Sequence, residues 1–434
     1  MKLKQISESS KTEAIDSLIA EPDIHYLKNG LCLVHQRIPF FRSVAIGLIV
    51  RVGVRDEHGF PEGISHFIEH ILFRGTQKHD VDELSEWIED LGGHVNASTG
   101  REDTAFHVHT LSEYLDQGLD LVHELVTSPK FTLDDIEQEK KVILEEIKES
   151  SDQPDELLMD RLYNKLWPRH PLGRDILGTE KSISCINKKS LLDYYKKTYR
   201  ANRMILGVCG NFESRDLMDL VKNKWTKIPE GEVIQRNIPR WSTKGSFTIL
   251  RPELTQNQVA IAFKAFPAND HRRLSLAIIS SYLGGGMNSL LFKELREKMG
   301  LVYSIQTFDS LKSDMGYWIV HFSTSKDTTK KALIELKRLL TEFRRKGFDE
   351  DNLKRIKRQF RRNIILSMES LHSRLGFMLR NQMLYNKQIS LDKILVEINS
   401  IGVAAINKLV KEILPNKGFQ IIVGEGEYEP FILD

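Results

Sequence analysis

"GISHFIEHILFRGT", residues 63–76, sets two histidines four positions apart with a glutamate directly before the second. In a helix, residues i and i+4 lie one turn apart on the same face, with Cβ atoms about 5–6 Å apart, so His66 and His70 can grip one metal ion. Ile64, Phe67, Ile68, Ile71 and Leu72 recur at i, i+3, i+4, i+7 and i+8, which is a core-facing stripe. His66, Glu69 and His70 fall on the other side of that helix, toward a cleft or solvent.

Two histidines make an incomplete site, because catalytic zinc takes three protein ligands and keeps a fourth position for water. The stretch "IEQEKKVILEEIKES", residues 136–150, has an apolar stripe of Ile136, Val142, Ile143 and Ile147, with Glu137, Lys141, Glu145 and Lys148 pointing outward. Glu139 and Glu146 break that rule, since at 100° per residue both fall in the sector of the isoleucines. An ionised carboxylate on a packed face is costly unless it is paired or bound to a metal. Each of the two therefore either serves a metal or meets a buried Arg or Lys.

The 434 residues are too many for one core and imply at least two domains. The chain is 41% hydrophobic and 28% charged, and 62 Lys and Arg nearly balance 60 Asp and Glu. No net field is present to drive binding to nucleic acid or an anionic membrane, so neither is expected as a partner. Cys32, Cys185 and Cys209 are odd in number and scattered, which suits free thiols in a reducing compartment. The opening residues lack an apolar core and carry Glu8, Glu13, Asp16 and Glu21, and no apolar run reaches 18 residues. The expected location is the cytoplasm.

Along the chain, "GLCLVHQRI" and "SVAIGLIVRVGV" read as strands. "DVDELSEWIEDLGG" reads as a helix opened by the box-like pair Asp80 and Glu83 and closed by Gly92 and Gly93. "HVNASTGREDTAFHVHT" reads as two strands about a Gly-containing turn, followed by two amphipathic helices. Strands and helices mix in an α+β fashion without a strict βαβ rhythm. Residues 227–246, "KIPEGEVIQRNIPRWSTKGS", read as a linker. On either side a faint repeat emerges: "LGGHVNAST" is similar to "KMGLVYSIQT", and "FTLDDIEQEKK" to "FDEDNLKRIKR". The expected plan is a polar leader (1–23), a metal-binding domain (24–227), a linker (228–245) and a homologous second domain (246–434). The second domain offers Leu283, Met287 and Asn363, or their neighbours, where the first has its His/Glu set.

His66, Glu69 and His70, followed 76 residues later by Glu146 with Glu139 seven before it, resemble the inverted zincin signature of the pitrilysin, insulysin and mitochondrial processing peptidase family. "RVGVRDEHGFPEGISHFIEHILFRGT", "GGHVNASTGREDTAFHV", "HPLGRDILGTEKSI", "YYKKTYRANRMILGVCGN" and "LGGGMNSLLFKELREKMGLVYSI" extend the resemblance, in order, to the short two-domain bacterial processing peptidases. It covers nearly all of residues 24–434.

The resemblance implies an α+β fold of two homologous α/β-sandwich halves, related by internal duplication, that close like a clam into a peptide chamber. It implies one Zn2+ per chain held by His66, His70 and Glu146, with Glu69 as the general base and Glu139 fixing a ligand. Asn96 and Ala97 would hold substrate backbone at a sheet edge, beside the metal. Arg296 and Tyr303, which alone read as a solvated helix residue and a core aromatic, would reach the substrate, the tyrosine hydroxyl near the developing oxyanion. Where relatives often read Ser-Arg-Leu, this chain has Ser289-Leu290-Leu291. The implied activity is that of a zinc-dependent endopeptidase hydrolysing unfolded peptides or processing precursor and leader peptides. A homodimer is expected, with a heterodimer with a related chain as the alternative assembly. The rival function is a non-catalytic peptide-binding or scaffold subunit of the same fold.

Overall fold

The structure is a computed structural model that describes residues 21–242 and 245–433. Residues 1–20 of the expected polar leader lie outside the described residues. The strands are β1 (Asp23–Tyr26), β2 (Cys32–Arg37), β3 (Ser43–Val50), β4 (His94–Thr99), β5 (Thr104–Leu111), β6 (Met204–Gly210), β7 (Ser246–Leu250), β8 (Gln256–Ala265), β9 (Ser304–Leu311), β10 (Gly316–Ser325) and β11 (Phe419–Gly424). The helices that precede β6 are α1 (Ile64–Leu72), α2 (Val81–Asp90), α3 (Leu115–Thr127), α4 (Leu133–Asp152), α5 (Pro154–Leu166), α6 (Glu180–Cys185) and α7 (Lys188–Thr198). After it come α8 (Ser214–Trp225), α9 (Arg273–Gly284), α10 (Thr329–Lys346), α11 (Glu350–Ser367), α12 (Leu371–Tyr385), α13 (Leu391–Ser400) and α14 (Val403–Ile413).

The first unit comprises the described residues up to Ile147, Asp175–Arg236 and Ile365–Lys393. Its sheet runs β1-β2-β6-β3-β5-β4, with β2 and β6 parallel and every other pair antiparallel. One face packs on α1 and α3. The other is covered by α12, whose Leu375 and Leu379 press onto Gly47 and Gly207, which pair directly across β3 and β6. A Cβ at either glycine would come within 3.0 Å of both leucines, so the bare backbone admits the helix.

The second unit comprises Lys148–Arg174, Asn237–Ile364 and the residues from Ile394 onward. Its sheet runs β7-β11-β8-β10-β9, again with one parallel pair, β7 with β11. This order and these senses repeat β2-β6-β3-β5-β4 strand for strand, which is the duplication the weak sequence repeat suggests. Here α5 covers one face, setting Leu158 and Leu162 among Ala260, Ala262 and Ile421.

The two units therefore differ from the continuous halves expected at 24–227 and 246–434. Residues 148–174, with α5, belong to the second unit and residues 365–393, with α12, to the first. The physical cause is that each sheet has two apolar faces to bury, and each accepts the covering helix carried by the other half of the chain. The expected linker is also anchored: Arg236 donates to both carboxylate oxygens of Asp56 (2.9 and 2.7 Å) and to the Glu102 carbonyl (2.8 Å). By element order, α9 occupies between β8 and β9 the place that α1 occupies between β3 and β4, and Leu283 lies on it. No helix among the described residues is long and apolar enough to cross a membrane.

Candidate metal centre

Helix α1 starts at Gly63, whose φ of +85° lies in the left-handed region. A Cβ there would sit 2.6 Å from the Leu177 carbonyl, so glycine is required twice over. The first amides of the helix are satisfied by the buried Glu57 carboxylate, which accepts from Gly63 N (3.1 Å) and Ser65 N (2.9 Å). Ile64, Phe67, Ile68, Ile71 and Leu72 are each at most 1% exposed, worth roughly 1.5–3 kcal/mol apiece. Of the two settings the helical pattern allows for the opposite face, a cleft or solvent, open solvent is excluded: His66 and Glu69 are buried as well, and only His70 is half-buried. Strand β4 packs on this helix, and α4 brings its carboxylates to the same face.

The two imidazole Nε2 atoms lie 3.1 Å apart. Glu146 places Oε1 3.8 Å from the Nε2 of His66 and Oε2 3.6 Å from that of His70. Among the described residues this is the one group of three His, Cys, Asp or Glu ligand atoms that all lie within 4.8 Å of one another. A tetrahedral ion with bonds of about 2.0–2.1 Å sets its ligands roughly 3.3 Å apart, so the triangle has the size a zinc ion needs, with a small inward move of Glu146.

The protons also suit a metal. Glu139, buried on α4, accepts from His70 Nδ1 at 2.8 Å, which leaves the His70 Nε2 lone pair facing the triangle. Arg74 Nε stands 3.6 Å from the other Glu139 oxygen and also donates to Gln138, tying the chain after α1 to α4. Burial, with His70 beside it, pushes His66 down to about 3, so this imidazole stays neutral and able to ligate. Burial alone would lower His70 too, but Glu139 first, then Glu146 and Glu69, outweigh it and raise it. Burial raises the Glu69 carboxyl, and a hydrogen bond from Thr99 Oγ1 (2.5 Å) to its Oε2 holds part of that rise back.

The structure thus brings His66, Glu69, His70, Glu139 and Glu146 together. Asn96 and Ala97 lie on β4, which ends the sheet order and is paired on one side only; the Asn96 side-chain oxygen accepts from Ala97 N at 2.9 Å. Arg296 and Tyr303 belong to the second unit. Arg296 is exposed in a π-helical turn, Phe292–Lys298, with its guanidinium 4.8 Å from the Phe292 ring centroid. Tyr303 is 58% exposed rather than a core aromatic, because Leu301 and Val302 take the buried positions before β9. Thr99 is the site residue that the sequence pattern misses: nothing in "HVNAST" marks its hydroxyl as the partner of a carboxylate thirty positions upstream.

A two-unit α+β fold with a histidine-carboxylate triangle marks the chain as one of the α+β proteins able to hold a divalent metal. Comparison narrows it: residues 33–180 match the model of the insulinase family, peptidase family M16, and residues 186–360 match that of the peptidase M16 inactive domain. An "uncharacterized zinc protease" of Rickettsia felis is 31% identical over 94% of this chain and 99% of its own. An "uncharacterized zinc protease YmxG" of Bacillus subtilis is 30% identical over 89% of this chain and 94% of its own. The chain belongs to the M16 peptidase family. Among solved structures, a protease from Helicobacter pylori shares the fold with a TM-score of 0.86 at 21% identity, covering 94% of this chain and 100% of that one. One described as a peptidase M16 inactive domain, from Pseudomonas fluorescens, does so with 0.87 at 18%, covering 95% and 100%.

Proposed function

We propose that this chain is a zinc-dependent endopeptidase acting on unfolded peptides or on precursor and leader peptides in the cytoplasm. The observation that carries the reading is the convergence of His66 Nε2, His70 Nε2 and a Glu146 carboxylate oxygen within 4.8 Å, with Glu69 on the same helix face. His66, His70 and Glu146 would hold the ion, and Glu139 would keep His70 in the ligating tautomer. Bound there, zinc supplies a Lewis acid that polarises a scissile carbonyl and acidifies water. Glu69, raised by burial and steadied by Thr99, takes the proton of the attacking water and hands it to the leaving amine. The free edge of β4 pairs with extended substrate backbone through the main chain at Asn96 and Ala97, giving affinity with little regard for sequence. Arg296 and Tyr303 are assigned to substrate contact and oxyanion stabilisation. Two copies of the chain form the working assembly, since one chain carries the metal set and the Arg/Tyr pair alike.

The match of residues 186–360 to an inactive domain favours one rival, a peptide-binding subunit without turnover. Metal analysis of the purified chain, with peptide cleavage compared between wild type and Glu69→Gln, separates the two. The peptidase reading expects about one zinc per chain in both proteins and a kcat lower by about 10²–10⁴ in the variant. Zinc binding with no cleavage by either protein would leave the binding subunit standing.

A further inference from the structure

Helix α11 carries Lys354, Arg355, Lys357, Arg358, Arg361 and Arg362 within nine residues, against two acids, Glu350 and Asp351, in its first turn. On neighbouring α10 two of the cations are paired, Arg338 with Glu335 and Glu342, and Lys346 with Glu342. On α11 the exposed Lys354, Arg358 and Arg362 have no ion pair among the described residues. Lys354 and Arg358 line a groove of about 340 Å³ formed by α11, the end of α13 and the connection to α14, with Leu353 and Ile401 providing apolar lining, and Arg362 stands one turn beyond them on the helix. Two further cations are fixed at that groove by the protein itself. Lys357 Nζ donates to the carbonyls of Asn399 (2.8 Å) and Ile401 (2.5 Å), and Arg361 donates to the Asn399 side chain (3.0 Å). The groove therefore concentrates positive charge, with Glu350 the one acid in its lining, although the whole molecule is nearly neutral.

We infer that the α11 groove binds an extended acidic segment of a peptide, with Asp or Glu at alternate positions. The spacing supplies the register. Lys354, Arg358 and Arg362 stand four residues apart, about 6 Å per step along the helix axis at 1.5 Å per residue. Alternate side chains of an extended peptide point the same way and recur every 6.6–6.8 Å or so, which long Lys and Arg side chains match over three positions. Consecutive acids on an extended strand point to opposite sides and cannot all meet the same row. The apolar lining accommodates the intervening side chains. This narrows the substrate class of the proposed peptidase and rests on that reading for the nature of the ligand.

The test uses full-length Glu69→Gln protein, so that binding is read without turnover, and a fluorescein-labelled peptide with aspartate at every second position. Fluorescence anisotropy is expected to show binding that weakens with added salt. Affinity should fall about tenfold or more in the triple variant Lys354→Glu, Arg358→Glu, Arg362→Glu. Reversing the exposed Lys330 and Lys331 at the far end of α10 should leave it unchanged. The inference is overturned by undiminished binding to the triple variant, by equal affinity for a peptide with the same aspartates in one run, or by tighter binding of a single-stranded oligonucleotide of equal charge. Wild-type cleavage of a neutral peptide is measured alongside. If no peptide is cut yet the alternating peptide binds as described, the peptidase reading fails and the groove stands; if neutral peptide is cut and the triple variant binds undiminished, the groove fails alone.

Discussion

Helices α4 and α11 are built to one plan and filled differently. Each is opened by a side chain accepting from the amide three residues on, Thr132 from Asp135 and Asp349 from Asn352. Each sets a buried aliphatic residue next, Ile136 in one and Leu353 in the other. One turn later the two part: α4 buries Glu139 where α11 buries Ile356. The frame tolerates either, which shows that Glu139 is not there for packing. A lone carboxylate in that place costs several kcal/mol, and what offsets it is His70 Nδ1 together with Arg74. The first unit thus accepts a less favourable interior in exchange for an oriented imidazole, while the second keeps the same helix purely structural inside and strongly basic outside.

Making α4 resemble α11 is the sharpest test of this contrast. Glu139→Ile should weaken zinc affinity by about 10–100-fold, measured by competition with a chromogenic chelator, because His70 loses the acceptor that fixes its tautomer. Thermal stability of the metal-free protein should fall only modestly, since the partners left behind, His70 and Arg74, are part-exposed and Arg74 keeps Asp135 and Gln138. A stability collapse with zinc affinity intact would show that Glu139 serves the fold and not the metal.

How much of this the sequence displays depends on the range of the contacts involved. Helix α1, its apolar stripe and the Asp80/Glu83 capping box are local patterns, and the structure has them where the sequence puts them, with Asp80 Oδ1 accepting from Glu83 N at 3.0 Å. Glu139 and Glu146 stand out because charge on an apolar sector is a local contradiction. The exchange of α5 and α12 leaves no such mark: Leu375 facing Gly47 and Gly207 is a pairing between residues more than 160 positions apart. The burial of His66 and Glu69 is likewise the work of distant elements, β4 and α4, so a helical wheel of α1 alone does not choose between a cleft and solvent for them.

Thr99 sharpens the comparison at the base itself. Removing its hydroxyl with Thr99→Val leaves burial of Glu69 less opposed, so the carboxyl titrates higher than in the wild type. Activity requires the ionised base; the acid limb of kcat/KM should therefore move to higher pH. At neutral pH the loss is at most about 10- to 150-fold, the range of one hydrogen bond to a charged group at about 1.5–3 kcal/mol. Thr99→Ser, which keeps the donor, should restore the wild-type profile, and an unshifted profile in the valine variant would remove Thr99 from the base's environment.

The smallest expected effect on turnover lies in the second unit, where Asp309 on β9 offers a half-buried acid without a catalytic neighbour. Burial pushes its carboxyl up to about 6, only weakly opposed by a backbone hydrogen bond. In the unfolded chain the group titrates near its ordinary value of about 4. Below that value both states hold the proton and Asp309 costs nothing. As pH rises from about 4 to 6 the unfolded chain gives up its proton first, so stability falls; above about 6 the folded group has ionised as well and the loss levels off, at no more than about 3 kcal/mol. Asp309→Asn removes this titration. Thermal unfolding should therefore show the variant more stable than wild type at pH 7.5 and equal to it at pH 4, whereas a stabilisation that persists unchanged at pH 4 would assign the gain to packing. Glu69, raised by the same burial, differs in having Thr99 and His70 to favour its ionised form, and that difference is what separates an acid kept for proton transfer from one that merely strains its sheet.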